Sequence, residues 1–376
     1  MAQDFKQHQY VLKNGKKLRR GYTTGACAAA AAKGAVLNLL DKAVSEVSVE
    51  TPSGIIVTVK LINIQKRQNE CECGVIKDAG DDPDVTHGLE IRAKAKLLNQ
   101  PEVRVKGGKG IGKVTQPGLP VPVGQPAINP VPMQMIKREV KKVLPDGIGA
   151  EITISVPGGE EVAKKTFNPR LGIEGGISII GTTGIVEPMS EEALKSSLSM
   201  TLDVMKARKI DRVVLVFGNY GRDFATKTLK IHENYIAKTS NFVGFMLDEC
   251  EKKRFNKILL IGHLGKIVKV AGGIFETHSK KADARMEILC AHLALMGCRQ
   301  KIIQQIMKCN TTEGAAQLIL ESNMQEVFNS ICEAVVRRLR DRFEKSIELG
   351  CMAFSMKHGL LGKALDNKEL LEEFKK

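Results

Sequence analysis

Tryptophan is absent from the 376 residues, and aromatic side chains make up only 4% of them. So few π-faces leave little from which to build the stacking platforms that hold bases or sugars. Long apolar runs are missing too: no stretch approaches the ~18 apolar residues of a membrane-spanning helix. The opening MAQDFKQHQY lacks the apolar core of an export signal, so a cytoplasmic protein with no membrane partner is expected. Neither G-x-S-x-G nor H-E-x-x-H occurs, which removes the common serine hydrolases and zinc proteases. Proline stops at Pro188, with all thirteen at or before it. The nine cysteines are an odd number scattered through apolar stretches, which suits reduced thiols rather than a disulfide framework. Cys71-Glu72-Cys73 is spaced too tightly for a zinc knuckle and reads as structural, so no protein metal site is expected.

What is present is positive charge. The formal net charge is +15, with +8 carried from Met189 onward and +7 before it, so the excess is not a tail. Such a field attracts polyanions: nucleic acid, or a small substrate bearing many carboxylates. Scarce aromatics and the lack of a dense basic run argue against nucleic acid as the partner, and a basic RNA-binding protein is the rival from another class.

The chain reads as two domains, 1–165 and 166–376. The first carries alternating, half-buried strands at 47–51, 55–60, 88–95 and 102–106, with helices at about 24–40 and 133–144, an α+β pattern. In the second, continuous apolar runs close in glycine loops and lead into helices: 177–180 before about 190–206, 212–217 before 222–229, and 257–263 before 264–271. That alternation predicts α/β layering with a mainly parallel sheet, and ligands beyond the carboxyl ends of its strands. A helix-rich stretch follows, with 313–320 and 324–345 its clearest members.

Four segments could carry chemistry. Thr23 and Thr24 precede a run of alanines; they cap a helix, and its N-terminus either packs or receives an anion. Lys77 to Gly88 packs Asp78, Asp81, Asp82, Asp84 and His87 into one turn, either a solvated loop or a site for substrate contact and proton transfer. Gly107 to Lys113 opens onto prolines rather than a helix, which excludes a nucleotide P-loop. It is either a pliable flap bringing Lys109 to an acidic ligand or a surface connection. The loops Gly181-Thr182-Thr183-Gly184 and Gly218-Asn219-Tyr220-Gly221 both close expected strands and could let a cofactor approach the backbone. His263 and His278 are the histidines best placed for chemistry.

These segments coincide with longer motifs. Gly21-Tyr-Thr-Thr-Gly-x-Cys-Ala, Lys77-Asp-x-Gly-Asp-Asp-x-Asp-x-Thr-His-Gly, and the run from Asn168-Pro-Arg-Leu-Gly to Gly181-Thr-Thr-Gly-Ile-Val closely resemble the cobalt-precorrin-5B C1-methyltransferases. So do Ser240-Asn-Phe-Val-Gly-Phe, Gly262-His-x-Gly-Lys and Gly273-Ile-Phe-x-Thr-His-Ser-x-x-Ala-Asp-x-Arg-Met-Glu, in order from about Leu18 to Leu361. Two positions depart: Leu264 stands where proline often follows the histidine, and Tyr220 where some relatives have histidine.

The resemblance implies S-adenosylmethionine-dependent methylation of C1 of cobalt-precorrin-5B to give cobalt-precorrin-6A, in the anaerobic route to cobalamin. Another methyltransferase on a polyacidic substrate is the alternative. It also implies an N-terminal domain similar to the second domain of ribosomal protein S5 and a Rossmann-like C-terminal domain. S-adenosylmethionine would then be the co-substrate, held by Gly181, Thr182, Thr183, Gly184, Gly218, Asn219 and Gly221. Thr23, Thr24, Lys77, Asp81, Asp82, His87 and Lys109 would grip the macrocycle. Asp78, His263 and His278 are the expected acid–base residues, cobalt enters only within the substrate, and a homodimer is an allowed assembly.

Overall fold

In the computed structural model, which describes residues 3–13, 15–343 and 347–375, the chain divides into two units, Met1–Ala193 and Leu194–Lys376. Helix α1 (Thr24–Leu39) is the centre of the first. Thr23 starts it, its hydroxyl accepting from Ala26 N at 3.2 Å, and the alanines then propagate it. No side chain from Ala26 to Ala32 is more than 1% exposed. Such small side chains let α1 lie close on a sheet, near enough for the Cys73 thiol to donate to Ala31 O at 3.2 Å.

The strands of this unit are β1 (Glu46–Glu50), β2 (Ile55–Lys60), β3 (Ile62–Arg67), β4 (Glu70–Ile76), β5 (Glu90–Leu98), β6 (Val103–Gly107) and β7 (Gly149–Ser155), and α2 (Pro130–Lys141) is its second helix. Five strands form a mixed sheet in the order β6–β7–β5–β4–β3, with only β6 and β7 parallel. Gln3–Asp4, β2 and β1 form a smaller sheet. Apolar residues of α1, α2 and both sheets share one core. The strands expected at 47–51, 55–60, 88–95 and 102–106 are present, whereas β3, β4 and β7 went unread.

The boundary falls at 193/194 rather than 165/166. Backbone pairing explains the shift: Gly176–Ile177 pairs with Gly110–Ile111, Ile173–Glu174 with Lys113–Val114, and Ile185–Val186 with Gly21–Tyr22. The run 177–180 is therefore no strand of the second unit's sheet. The same pairings pin the Gly107–Lys113 segment, which is stapled rather than pliable. Gly110 there has φ +78°, and a Cβ would fall 1.9 Å from Val156 O, so only glycine fits.

The second unit contains α3 (Glu191–Ala207, its first turn before the boundary), β8 (Arg212–Val216), β9 (Ile236–Lys238), α4 (Val243–Lys252), β10 (Lys257–His263), α5 (Leu264–Ala271), α6 (Arg285–Leu295), α7 (Gln300–Met307), α8 (Thr312–Glu321), α9 (Glu326–Arg340), β11 (Glu348–Ser355) and β12 (Gly359–Leu365). Its sheet runs β9–β8–β10–β11–β12; the first four strands are parallel and β12 is antiparallel to β11. The central residues of β8, β10 and β11 are buried, which is why these strands read as unbroken apolar runs instead of alternating ones. β11 and β12 lie in the stretch expected to be helical. The helix expected over 324–345 is α9, ending at Arg340; 344–346 lie outside the described residues. No helix among the described residues is long and apolar enough to cross a membrane.

Candidate functional site

Strand order places the crevice of the second unit. The chain leaves β8 for β9 on one side and returns to β10 on the other, so the connections diverge between the carboxyl ends of β8 and β10, where such sheets bind ligands. Gly218-Asn219 follows β8 there, and His263 closes β10. Gly262 lets the two ends meet, since a Cβ would stand 2.4 Å from the Phe217 ring. Gly218 has the opposite surroundings: nothing lies within 4 Å of where its Cβ would be, and its extended φ of −179° suits any residue. Asn219 is exposed and accepts from Lys238 Nζ at 2.6 Å.

Beyond the end of β10 opens a cleft of about 540 Å³, lined among others by Asn241, His263, Lys266, Lys269, Thr277, His278, Arg285 and Glu313. His263 Nδ1 accepts from Gly265 N at 3.2 Å and caps α5, while Nε2 lies 2.6 Å from Glu313 Oε1. With Nδ1 accepting, Nε2 carries the proton and donates. Glu313 also accepts from the Ser355 hydroxyl at 2.6 Å and from Met356 N at 3.0 Å. Burial would raise its pKa, but the bonds from Ser355, His263 and Met356 N outweigh that and hold it below the ordinary glutamate value. Glu313 thus ties α8 to the ends of β10 and β11. His278 is exposed; its Nδ1 accepts from Lys280 N at 3.2 Å.

The other expected residues belong to the first unit and are mostly structural. Thr23 and Thr24 are buried. Thr24 Oγ1 accepts from Ile180 N at 2.9 Å, and Gly25 N donates to Ile180 O at 3.0 Å, so the segment before Gly181 already caps this helix. Gly181 has φ +132°, and its Cβ would fall 2.3 Å from Thr23 Oγ1; Gly184 meets Thr51 at 2.6 Å. Gly181 serves close packing against the start of α1 and Gly184 against Thr51, and with Thr182 and Thr183 they are not on the sheet that carries Gly218 and Gly221.

The carboxylates of the Lys77–Gly88 turn are likewise already partnered. Lys77, 2% exposed, pairs with Asp84 at 2.6 Å, and Asp84 also accepts from Thr86 N and Oγ1. Arg19 grips Asp78 with both terminal nitrogens, and that bond chiefly holds the Asp78 carboxyl below its ordinary value, which makes it a poor base. Asp81 accepts from Arg19 N at 2.6 Å and Asp82 from Met189 N at 2.9 Å. His87 and Lys109 are exposed. Glu313, Lys266, Lys269 and Arg285 were not among the expected residues. Lys266 and Arg285 do stand within the motifs Gly262-His-x-Gly-Lys and Ala282-Asp-x-Arg-Met-Glu, which was the available signal; Lys269 and Glu313 lie outside every such motif.

Fold and cleft together define a two-unit protein with mixed sheets whose second unit presents a cationic cleft at the carboxyl ends of parallel strands. Residues 11–188 match the family described as CbiD, and 276–365 match CbiD, C-terminal domain. Over 368 residues the chain is 51% identical to a cobalt-precorrin-5B C(1)-methyltransferase of Alkaliphilus metalliredigens (strain QYMF), covering 98% of each. It is 48% identical over 363 residues to a protein of the same name from Thermoanaerobacter sp. (strain X514), covering 96% of this chain and 99% of that one. A crystal structure of a cobalamin biosynthesis protein (cbiD) from Archaeoglobus fulgidus is 30% identical, covers 74% of this chain and 88% of that one, and has a TM-score of 0.39. The chain belongs to the CbiD family.

Proposed function

We propose that the protein methylates C1 of cobalt-precorrin-5B, giving cobalt-precorrin-6A, in cobalamin biosynthesis with early cobalt insertion. The observation that carries this reading is end-to-end similarity, 51% identity over 98% of both chains, to a relative of that name. S-adenosylmethionine, as methyl donor, supplies a methyl group already activated on a sulfonium. The chain's own task is then mainly to hold donor and acceptor carbon in line, about 3–3.5 Å apart.

We assign the donor to the Gly218–Gly221 loop, because the backbone at Gly218 faces open space beside the switch point. The strand order of the second unit supports reading it as Rossmann-like, and the first unit's mixed sheet under α1 is read as similar to the second domain of ribosomal protein S5. Exposed His87 and Lys109 suit the macrocycle's peripheral groups, and the +15 charge suits its carboxylates. Cobalt is part of the substrate. Of the three expected acid–base residues we assign proton transfer to His278: Asp78 is held by Arg19, and both nitrogens of His263 are engaged.

Incubation with isotopically labelled S-adenosylmethionine and cobalt-precorrin-5B, followed by mass spectrometry, should give one added methyl at C1. Recovery of unmodified macrocycle from folded protein would refute the assignment.

A further inference from the structure

Lys266 and Lys269 stand one turn apart on α5, and both ammonium groups reach the same acceptor, Thr277 O, at 3.0 and 3.4 Å. Their remaining partners are neutral as well: Asn241 Oδ1 for Lys266 and Ala282 O for Lys269, each at 2.7 Å. Lys269 is 3% exposed and Lys266 half-buried. No carboxylate lies within ion-pair distance of either among the described residues. The carboxylates close by are already committed, Asp283 to Arg285 through two 2.7 Å bonds and Glu313 to His263, Ser355 and Met356 N.

Two like charges held together away from water, with Asp283 the nearest counter-charge to Lys269 and that one bonded to Arg285, are costly, and neutral acceptors do not offset that cost. Burial, then the neighbouring Lys269 and Arg285, lower the Lys266 pKa, as expected for a cation among cations. The 540 Å³ cleft beside them is the space a compensating anion would fill. Hydroxyls of Ser279, Thr311 and Thr312 line the same cleft and offer further hydrogen bonds.

We propose that Lys266 and Lys269, with Arg285 beside them, form a carboxylate-binding site that anchors one reactant from the second unit. A carboxylate fits because its two oxygens can each accept from one ammonium. The class of ligand rests on the methyltransferase reading, since both reactants carry carboxylates: the α-carboxylate of the donor's methionyl group, or an acetate or propionate arm of the macrocycle.

Calorimetry on the full chain with three probes tests the site: S-adenosylhomocysteine, uroporphyrin as a polycarboxylate tetrapyrrole, and citrate, which takes no part in methyl transfer. Lys266→Met should weaken one of the two reactant analogues by about tenfold or more. Lys266→Arg should retain most of the affinity. Loss confined to S-adenosylhomocysteine assigns the donor's carboxylate, and loss confined to uroporphyrin assigns a macrocycle arm. Citrate should bind the wild type saturably and Lys266→Met at least tenfold more weakly. If methyl transfer fails but citrate binding depends on Lys266, the anion site stands and the activity reading falls. If Lys266→Met melts like the wild type and all three probes bind it equally well, the site is refuted. Should that variant not fold, Lys266→Gln, which removes the charge but keeps a donor toward Thr277 O, is read by the same criteria.

Discussion

His263 and Glu313 are joined by a 2.6 Å hydrogen bond between Nε2 and Oε1, and the other imidazole nitrogen is spent on capping α5 through Gly265 N. A histidine engaged at both nitrogens positions other groups and does not abstract a proton. His263→Ala should cost about 1–3 kcal/mol of stability, from the lost cap and the loosened Glu313. In His263→Asn, a residue that can still cap, the pH profile of single-turnover methylation should keep its acidic limb. Loss of that limb would restore His263 as the base.

Gly181 and Gly218 should respond in opposite ways. A Cβ at Gly181 collides with Thr23 in a backbone region that disfavours L side chains, so Gly181→Ala should destabilise the protein by about 2–4 kcal/mol. S-adenosylhomocysteine should still bind the folded fraction normally. A Cβ at Gly218 has no protein atom within 4 Å, so Gly218→Val should change stability by no more than about 0.5 kcal/mol, while weakening S-adenosylhomocysteine severalfold. Melting curves with calorimetry separate the two, and unaltered binding to Gly218→Val would remove that loop from the donor site.

Glu249 makes the protein acid-sensitive. Burial on α4 opposes its ionisation, but bonds from Ser199, Lys252 and Lys253 prevail and bring its pKa down to about 2. A depressed carboxyl pKa stabilises the fold fully above the unfolded value near 4.3, and that contribution disappears as pH falls toward about 2. It amounts to about 2–3 kcal/mol. Urea unfolding across this acid range should show a shallower loss of stability for Glu249→Gln than for wild type.

The Lys77–Asp84 pair, with a buried ammonium and a half-buried carboxylate, should be expensive to break from one side. Lys77→Met leaves Asp84 with only Thr86 as partner and should cost about 3 kcal/mol. Adding Asp84→Asn should recover part of that. The coupling from the double-mutant cycle, read by chemical denaturation, should exceed about 1 kcal/mol. A value near zero would mean that the pair does not hold the turn.

Legibility followed the range of the interactions. The α1 cap, β1, β2, β5, β6 and the β–loop–α pattern were readable because each depends on neighbours a few residues apart. β11 and β12 were not, since neither holds a β-branched residue, whereas the equally buried β8 and β10 are rich in Val or Ile. Asp78 read as an acid–base candidate in a carboxylate-rich turn, but the charge that disarms it comes from Arg19, distant in the chain.

By itself the sequence determined the family, the division into a proline-bearing and a proline-free half, and the cap that starts α1. The Gly181 loop read as a place for a cofactor to approach, and only its contact with Thr23 in the folded unit makes it a packing element. The role of His263 likewise depended on Glu313, and the uncompensated charge of Lys266 and Lys269 on which carboxylates fold near them. Local pattern dictates which element a residue joins. The partners of its polar atoms, and so its chemistry, are set by long-range packing that no local spacing records.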